Sequence, residues 1–449
     1  MTAAVLALAV SAGATTITVT TTLDQNSSSP PDLVCSLREA VIAANSNLGV
    51  GACPAGSRGL DTIVLPAGTY DLSIAGVDES FAETGDLDVR ESLEIVGAGA
   101  SSTTIDGHGI DILLQVPVSD VSLTVRNVTL RGGQRVPGLF SDGSAIRIEG
   151  PFVVAPVPTG GFYICAGCTL LVEDSVVTGN GSGAAIGLVG YATATIRRTS
   201  VISNTGAGIS LVFADGVLED TTVSGNTGDG VLVTAGTATL NRSTVSGNGG
   251  QGVGGYVLAI SGVLVCGEWT LRNTTVSGNA GIGALGQDVP FSPQCSSMAD
   301  NATIVGGGGD AVSGSVAMTN TLVVGSCPAP LPPAGNGGNL ESPGNTCGLT
   351  GPGDQVSVPD PKIGALAMNG GLTKTHALLA GSPAIGHGND AACLATDQRG
   401  VARPAPAGGH CDVGSYEYDS GCGASLEVAG AAPLALLVAR RRRRVAPAR

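Results

Sequence analysis

Between residues 121 and 324 the chain repeats one arrangement of apolar and polar positions. A run of alternating β-branched and polar residues leads to a charged or amide pair, then a second short alternating run, then glycine and asparagine. "LLVEDSVVTGN", "ATIRRTSVISN", "GVLEDTTVSGN", "ATLNRSTVSGN" and "WTLRNTTVSGN" are its clearest copies. "LTVRNVTLRGG" precedes them, and the weaker "MADNATIVGGG" and "VAMTNTLVVGS" follow. Alternation with a period of two marks half-buried strands. The closing asparagines, Asn180, Asn204, Asn226, Asn248 and Asn279, stand 24, 22, 22 and 31 residues apart, and such a period marks a solenoid. After each asparagine comes a further short strand such as "GVLVTAG". The pattern predicts an all-β parallel β-helix with two or three strands per coil. Its turns fall at Gly and Asn, which tolerate left-handed backbone.

Coils stacked about 4.8 Å apart set equivalent residues above one another. The valines then build a continuous interior, and the asparagines a hydrogen-bonded ladder along one turn. A second column runs Asn127, Asp174, Arg198, Asp220, Arg242, Asn273, Asn301, Asn320. Beside it run Arg126, Glu173, Arg197, Glu219, Asn241, Arg272, Asp300 and Thr319. Acidic and basic pairs alternate from coil to coil, as a structural ladder requires, since opposite charges on adjacent strands attract by roughly 0.2–1 kcal/mol per pair. The catalytic reading of the same column takes Asp174 and Asp220, two coils apart, as the paired carboxyl groups of an inverting glycosidase with Arg198 between them. An arginine in that place holds both acids ionised, whereas a general acid needs a raised pKa.

One stretch breaks the strand pattern. In "CSLREAVIAAN", residues 35–45, Leu37, Val41 and Ala44 recur at helical spacing, and Ser36 with Glu39 forms the S-x-x-E of a capping box. A β-helix ends in an open coil with an exposed apolar interior, so a short amphipathic helix reads as its lid. On this reading Leu37, Val41 and Ala44 face the first coil and Arg38 faces outward.

Composition narrows the class. Seventy glycines with 3% aromatic residues are unusual for a packed globular enzyme, while 43% hydrophobic content is too high for a disordered chain. A net charge of −15 argues against nucleic acid or an anionic membrane as partner. Eleven cysteines point to an oxidising compartment. They fall into local pairs: Cys35 with Cys53, Cys165 with Cys168, Cys327 with Cys347, Cys393 with Cys411. Cys266 and Cys295 stand on adjacent coils over one face, and Cys422 is left over. Spacing alone does not fix this connectivity.

Other chemistry is sparse. "ETGDLDV" carries Asp86 and Asp88, the one oxygen-rich stretch in which calcium has a candidate site. It lacks EF-hand spacing and reads first as a solvated loop. "CAGC" has neither the βαβ context of a redox motif nor a second ligand pair for zinc. Trp269, the single tryptophan, reads as packing beneath the inserted "GYVLAISGVLVCGEW" rather than as a sugar platform. The four histidines are scattered, and no nucleophile-elbow, phosphate-loop or zincin motif occurs.

The ends differ from the middle. Residues 1–14 are small and apolar and read as a truncated signal peptide. Past residue 418 the order Cys422, a short apolar run, then Arg440 to Arg444 reads as a sorting signal. The "CSLREAVIAAN" stretch, with "LDTIVLPAGTYDL" and "SLEIVGAGASSTTIDG" after it, resembles the CSLREA domain of bacterial surface β-helix proteins. "NGGLTKTHALLAGSPAIGHGN", "ATDQRGVARP" and "CDVGSYEY" resemble the choice-of-anchor Q domain. The tail is similar to a myxosortase-type sorting signal with Cys422 as the processed cysteine. The repeats resemble right-handed parallel β-helices of the pectate-lyase-like class. The divisions that follow are a leader over 1–14, a CSLREA-type cap over 15–105, β-helix repeats over 106–326, a disulfide-tied region over 327–418 and an anchoring tail over 419–449.

These readings together imply an exported, surface-anchored protein, acting by adhesion or as envelope structure and using no cofactor. The expected partners are a polysaccharide or other cell-surface ligand and a sorting protease. The membrane is met only through the tail. A carbohydrate-active lyase or hydrolase using Asp174, Arg198 and Asp220 is the alternative.

Overall fold

The structure, a computed structural model, describes residues 13–26, 33–77, 79–134, 143–153, 162–260, 263–286, 295–328 and 336–419. The expected leader, but for Gly13 and Ala14, lies outside these residues; so does the anchoring tail with Cys422, but for Asp419.

Three sheets run along a right-handed parallel β-helix. The first has 11 strands, from Thr16–Thr18 to Val316–Thr319; the third has 11, from Gly68–Asp71 to Leu340–Ser342. The second has 10, one of which, Val263–Cys266, pairs antiparallel with Val253–Ile260 as a side hairpin. Each full coil supplies one strand to each sheet, with the register in the second sheet shifting once, between Gly143 and Ile146. Val172 stacks on Ile196, Ile196 on Leu218, Leu218 on Leu240 and Leu240 on Leu271. All five are fully buried, the arrangement that period-two alternation dictates once one face is enclosed. Trp269 belongs to this inward set. It stands above Ala238 in register, and its indole N–H donates to the carbonyl of Leu285 at 2.8 Å. The ring fills the coil interior instead of lying under the hairpin, because "EWTLR" alternates with Trp on the buried face.

The asparagine ladder is continuous. Each side-chain amide donates to the Oδ1 of the next coil, Asn180 to Asn204, Asn204 to Asn226, Asn226 to Asn248 and Asn248 to Asn279, at 2.9–3.0 Å. The same Oδ1 atoms also accept the backbone N–H of the asparagine below. The preceding glycines, Gly179, Gly225, Gly247 and Gly278, have φ between 63° and 65°. A Cβ at Gly247 or Gly278 would meet nothing within 4 Å, so glycine is there for its backbone and not for space.

One α-helix, α1 (Leu37–Ser46), closes the N-terminal end. Its capping box is formed, with Glu39 N–H to Ser36 Oγ at 3.2 Å and Ser36 N–H to Glu39 Oε2 at 2.9 Å. Leu37, Val41 and Ala44 are buried. Arg38 is not outward as expected: it is fully buried. Its guanidinium pairs with Asp24 and donates to the carbonyls of Ala82, Gly85 and Asp86 at 2.8–3.1 Å. The loop around residues 82–86 folds over the helix face that would otherwise meet water.

Among the described residues five disulfides join Cys35 to Cys53, Cys165 to Cys168, Cys266 to Cys295, Cys327 to Cys347 and Cys393 to Cys411. No helix among the described residues is long and apolar enough to cross a membrane.

Beyond Cys347 the chain turns back along the outer face of the third sheet. Leu322 and Leu340 of that sheet pack with Leu378, Ala384 and Val413 in a second small core. Gln398 donates to Ser243 O and Thr244 Oγ1 and accepts from Thr275 Oγ1. Ser415 bonds Thr303, and His376 bonds Ser277 Oγ and the carbonyl of Gly364 at 2.9 and 2.8 Å. Burial pushes the His376 pKa below its ordinary value. The unfolded chain therefore binds the proton first, so this attachment is fully stable above about pH 6.5 and weakens as pH falls below it. The protection of amides 375–378, taken relative to the intrinsic exchange rate at each pH, should fall between pH 7 and 5.5, and His376→Gln should remove most of that dependence.

Candidate functional site

The charged column sits in the turn between the first and third sheets. Every member, from Asn127 to Asn320, adopts a left-handed conformation with φ between 46° and 57°, which directs successive side chains off the same corner of the coil. Arg198 donates through Nε and Nη2 to Asp174 at 2.8 and 3.0 Å, and it also reaches Glu173. Glu173 in turn meets Arg126 and Arg197 from the strands on either side, at 3.4 and 2.6 Å. Asp220 does not share Arg198; it is held by Arg242 of the following coil at 2.8 and 2.9 Å. The three residues considered for catalysis thus fall into two separate ion pairs. Each arginine reaches back one coil, in place of one arginine bridging two acids.

The electrostatics follow from that geometry. Hydrogen bonding to Arg198 holds the Asp174 carboxyl below the usual carboxylate range. Arg197, then Arg198, does the same for Glu173. Asp300, further along the neighbouring row, moves the other way because burial outweighs the pull of Arg272. Asp174 is 42% exposed, so solvent screens its pair. Asp174→Asn should cost only about 0.2–1 kcal/mol in thermal or urea unfolding. Because the folded pKa lies below the unfolded value of about 3.9, that contribution is present at neutral pH and is lost as pH falls through the folded value.

The column also changes character along the molecule. Asn273, Asn301 and Asn320 are buried beneath the C-terminal region. Asn301 Oδ1 accepts the N–H of Leu394, and Asn320 exchanges two bonds with Asn389. From Asp174 to Arg242 the column is charged and open, and the covered positions are all amides, since a buried charge without a partner costs far more than a satisfied amide.

Asp86 and Asp88 do not lie in a solvated loop. They flank and enter the first strand of the second sheet, Leu87–Asp88, with relative exposures of 2% and 0%. Their carboxylates and that of Glu79 bring one oxygen each within 4.8 Å of one another. Burial, reinforced by Asp88, Asp111 and Glu79, pushes Asp86 up to about 9; burial, with Glu79 and Asp111 adding, pushes Asp88 to about 7. The acidic residues are drawn in because Leu87 and Val89 fill the coil interior and because Arg38 pulls the preceding carbonyls down onto the helix.

A second group escaped sequence reasoning. Asp71 and Asp106 are register partners in the third sheet, and His108 bonds Asp71 at 2.8 Å. Arg131 of the next coil bonds Asp106 at 2.7 Å. The "DGH" of residues 106–108 was its only local signal; Asp71 and Arg131 join it only through strand register.

Residues 116–259 match the family described as "Right handed beta helix region". In fold the chain is similar to the A-modules of two Azotobacter vinelandii mannuronan C-5 epimerases. For AlgE4 the identity is 18% and the TM-score 0.45, over 70% of this chain and 79% of the other. For AlgE6 they are 18% and 0.48, over 74% and 96%. It is also similar to the pectate lyase Pel9A, at 14% identity and TM-score 0.44, over 80% of this chain and 88% of that one. No curated protein matches it by sequence. These likenesses are of fold alone.

Proposed function

We propose that the protein is an exported β-helix scaffold that works at the cell surface by binding, its ligand an extended polymer such as a polysaccharide laid along the open face of the first sheet. The observation that carries this reading is the pairing of the charged column. Asp174, Glu173 and Asp220 are each clamped by arginine, so these three acids serve as ladder rungs and none of the three is poised as a general acid. Along the same face Thr124, Leu171, Thr195, Val217, Thr239 and Thr270 stack in register, a flat stripe of methyls and hydroxyls. Five disulfides suit an oxidising compartment. The test is incubation of the purified protein with acidic and neutral polysaccharides, mannuronan and pectate among them, measuring retention and turnover. Retention without turnover supports the reading; turnover that survives Asp174→Asn and Asp220→Asn overturns it in favour of another site.

A carbohydrate-active reading keeps one specific observation in its favour, the group in which exposed Asp71, His108 and Arg131 surround the buried Asp106. It sets an imidazole, two carboxylates and a guanidinium on one surface, the residue types from which proton abstraction beside a sugar carboxylate is built. If turnover is found, His108→Ala should abolish it.

A further inference from the structure

We propose that Glu79, Asp86 and Asp88 bind a divalent, oxygen-seeking cation, with calcium as the best fit, which pins the loop of residues 79–88 against the N-terminal cap. Three independent features converge there. The first is the carboxylate geometry already described. The second is that Asp86 Oδ2 and Asp88 Oδ1 are buried and have no hydrogen-bond partner, although the rest of the loop is thoroughly bonded. Asp88 Oδ2 accepts the N–H of Ala82 at 3.0 Å, and Glu79 accepts those of Phe81 and Thr84 at 2.7 and 3.0 Å. Buried carboxylate oxygens are satisfied in nearly all folded proteins, by protein, water or metal. Two acids that each keep an orphaned buried oxygen, grouped with a third carboxylate, are therefore an invitation to an ion.

The third feature is the surrounding charge. Asp111 lies against the same loop, its Oδ2 2.7 Å from where a Cβ on Gly85 would stand. The nearby guanidinium groups make their hydrogen bonds elsewhere, although the charge of Arg90 is still felt at Asp88. Arg38 is taken up by Asp24 and three loop carbonyls, and Arg90 donates to Ser80 O and lies over the Phe81 ring, 4.5 Å from its centroid. The ligand set is all carboxylate, which favours a hard cation over zinc or copper. Burial disfavours magnesium, which gives up its water reluctantly, whereas calcium accepts carboxylates in irregular, flexible geometry. The ion would complete the lid. Arg38 holds the loop from the helix side through its carbonyls, and the cation would hold it from the coil side through its acids, so the cap would tighten where calcium is abundant.

The experiment uses the full chain stripped with chelator and titrated with CaCl2, read by thermal unfolding and by isothermal titration calorimetry. The expected result is a saturable rise in Tm of roughly 2–5 °C with a dissociation constant on the order of 0.1–1 mM, as in extracellular calcium modules. Magnesium should bind more weakly. Asp86→Asn with Asp88→Asn should abolish both the heat signal and the Tm rise. Glu79→Gln, at the rim of the site, gives a milder variant that should weaken binding at least tenfold. A Tm unchanged between excess chelator and 10 mM calcium, with no binding heat, overturns the proposal. So does a calcium response that survives the double substitution.

Discussion

Arg38→Met should lower the unfolding free energy by about 3–5 kcal/mol, the scale for removing one partner of a buried ion pair. The loss comes from what the guanidinium leaves behind. Asp24, 1% exposed in its side chain, keeps only the amides of Ser73 and Ile74, and the carbonyls of Ala82, Gly85 and Asp86 lose their donor inside the protein. Urea denaturation of both proteins would measure it. Asp24→Asn in the Arg38→Met background should recover part of the loss by removing the unpaired charge. An Arg38→Met protein as stable as the parent would show that the loop does not depend on the clamp.

Asn226→Ala should be of similar size, about 3–5 kcal/mol, although the residue carries no charge. Asn226 sits inside the coil at 1% exposure. Its Oδ1 accepts from Asn204 N and Nδ2, and its Nδ2 donates to Val201 O and Asn248 Oδ1. Deleting the amide strands several buried groups at about 1–3 kcal/mol each, with relaxation recovering part. Thr222→Ala, half-exposed two positions before the Ser-Gly-Asn of the same coil, supplies the control and should stay within about 0.5 kcal/mol.

How far the sequence could be read depended on whether a residue's environment came from its own coil. The stacked interior, the asparagine ladder and the alternating charges all follow from a short period repeated, because each coil is packed by copies of itself. The string "TVSGN" shows where that stops. It occurs at residues 222–226, 244–248 and 275–279, yet Thr222 and Ser224 are half-buried while Thr244, Ser246, Thr275 and Ser277 are buried. The difference is made by Gln398, Ser415 and His376, more than ninety positions away for Ser277 and His376, and no local pattern encodes it. Arg38 was misread for the same reason. Helical periodicity placed it opposite the apolar face, but the loop that covers it comes 44 to 48 residues later. The Asp71 and His108 group needed strand register before its members could be seen as neighbours.

The returning C-terminal region also decides how the molecule bears load. An open solenoid pulled at its last residue peels one coil at a time, each rupture needing little force. Here a pull on the chain beyond residue 419 meets the bonds of Tyr418 to Asp412 and of Glu417 to Asp397 within the returning region, and then, against the solenoid, the bonds of Gly414 to Asn320 and of Ser415 to Thr303 and Thr275. These lie across the flank of three successive coils. Tension is therefore delivered sideways into the stack, where several bonds are strained together in shear, and the final coil is spared from acting as the weak first tooth of a zip.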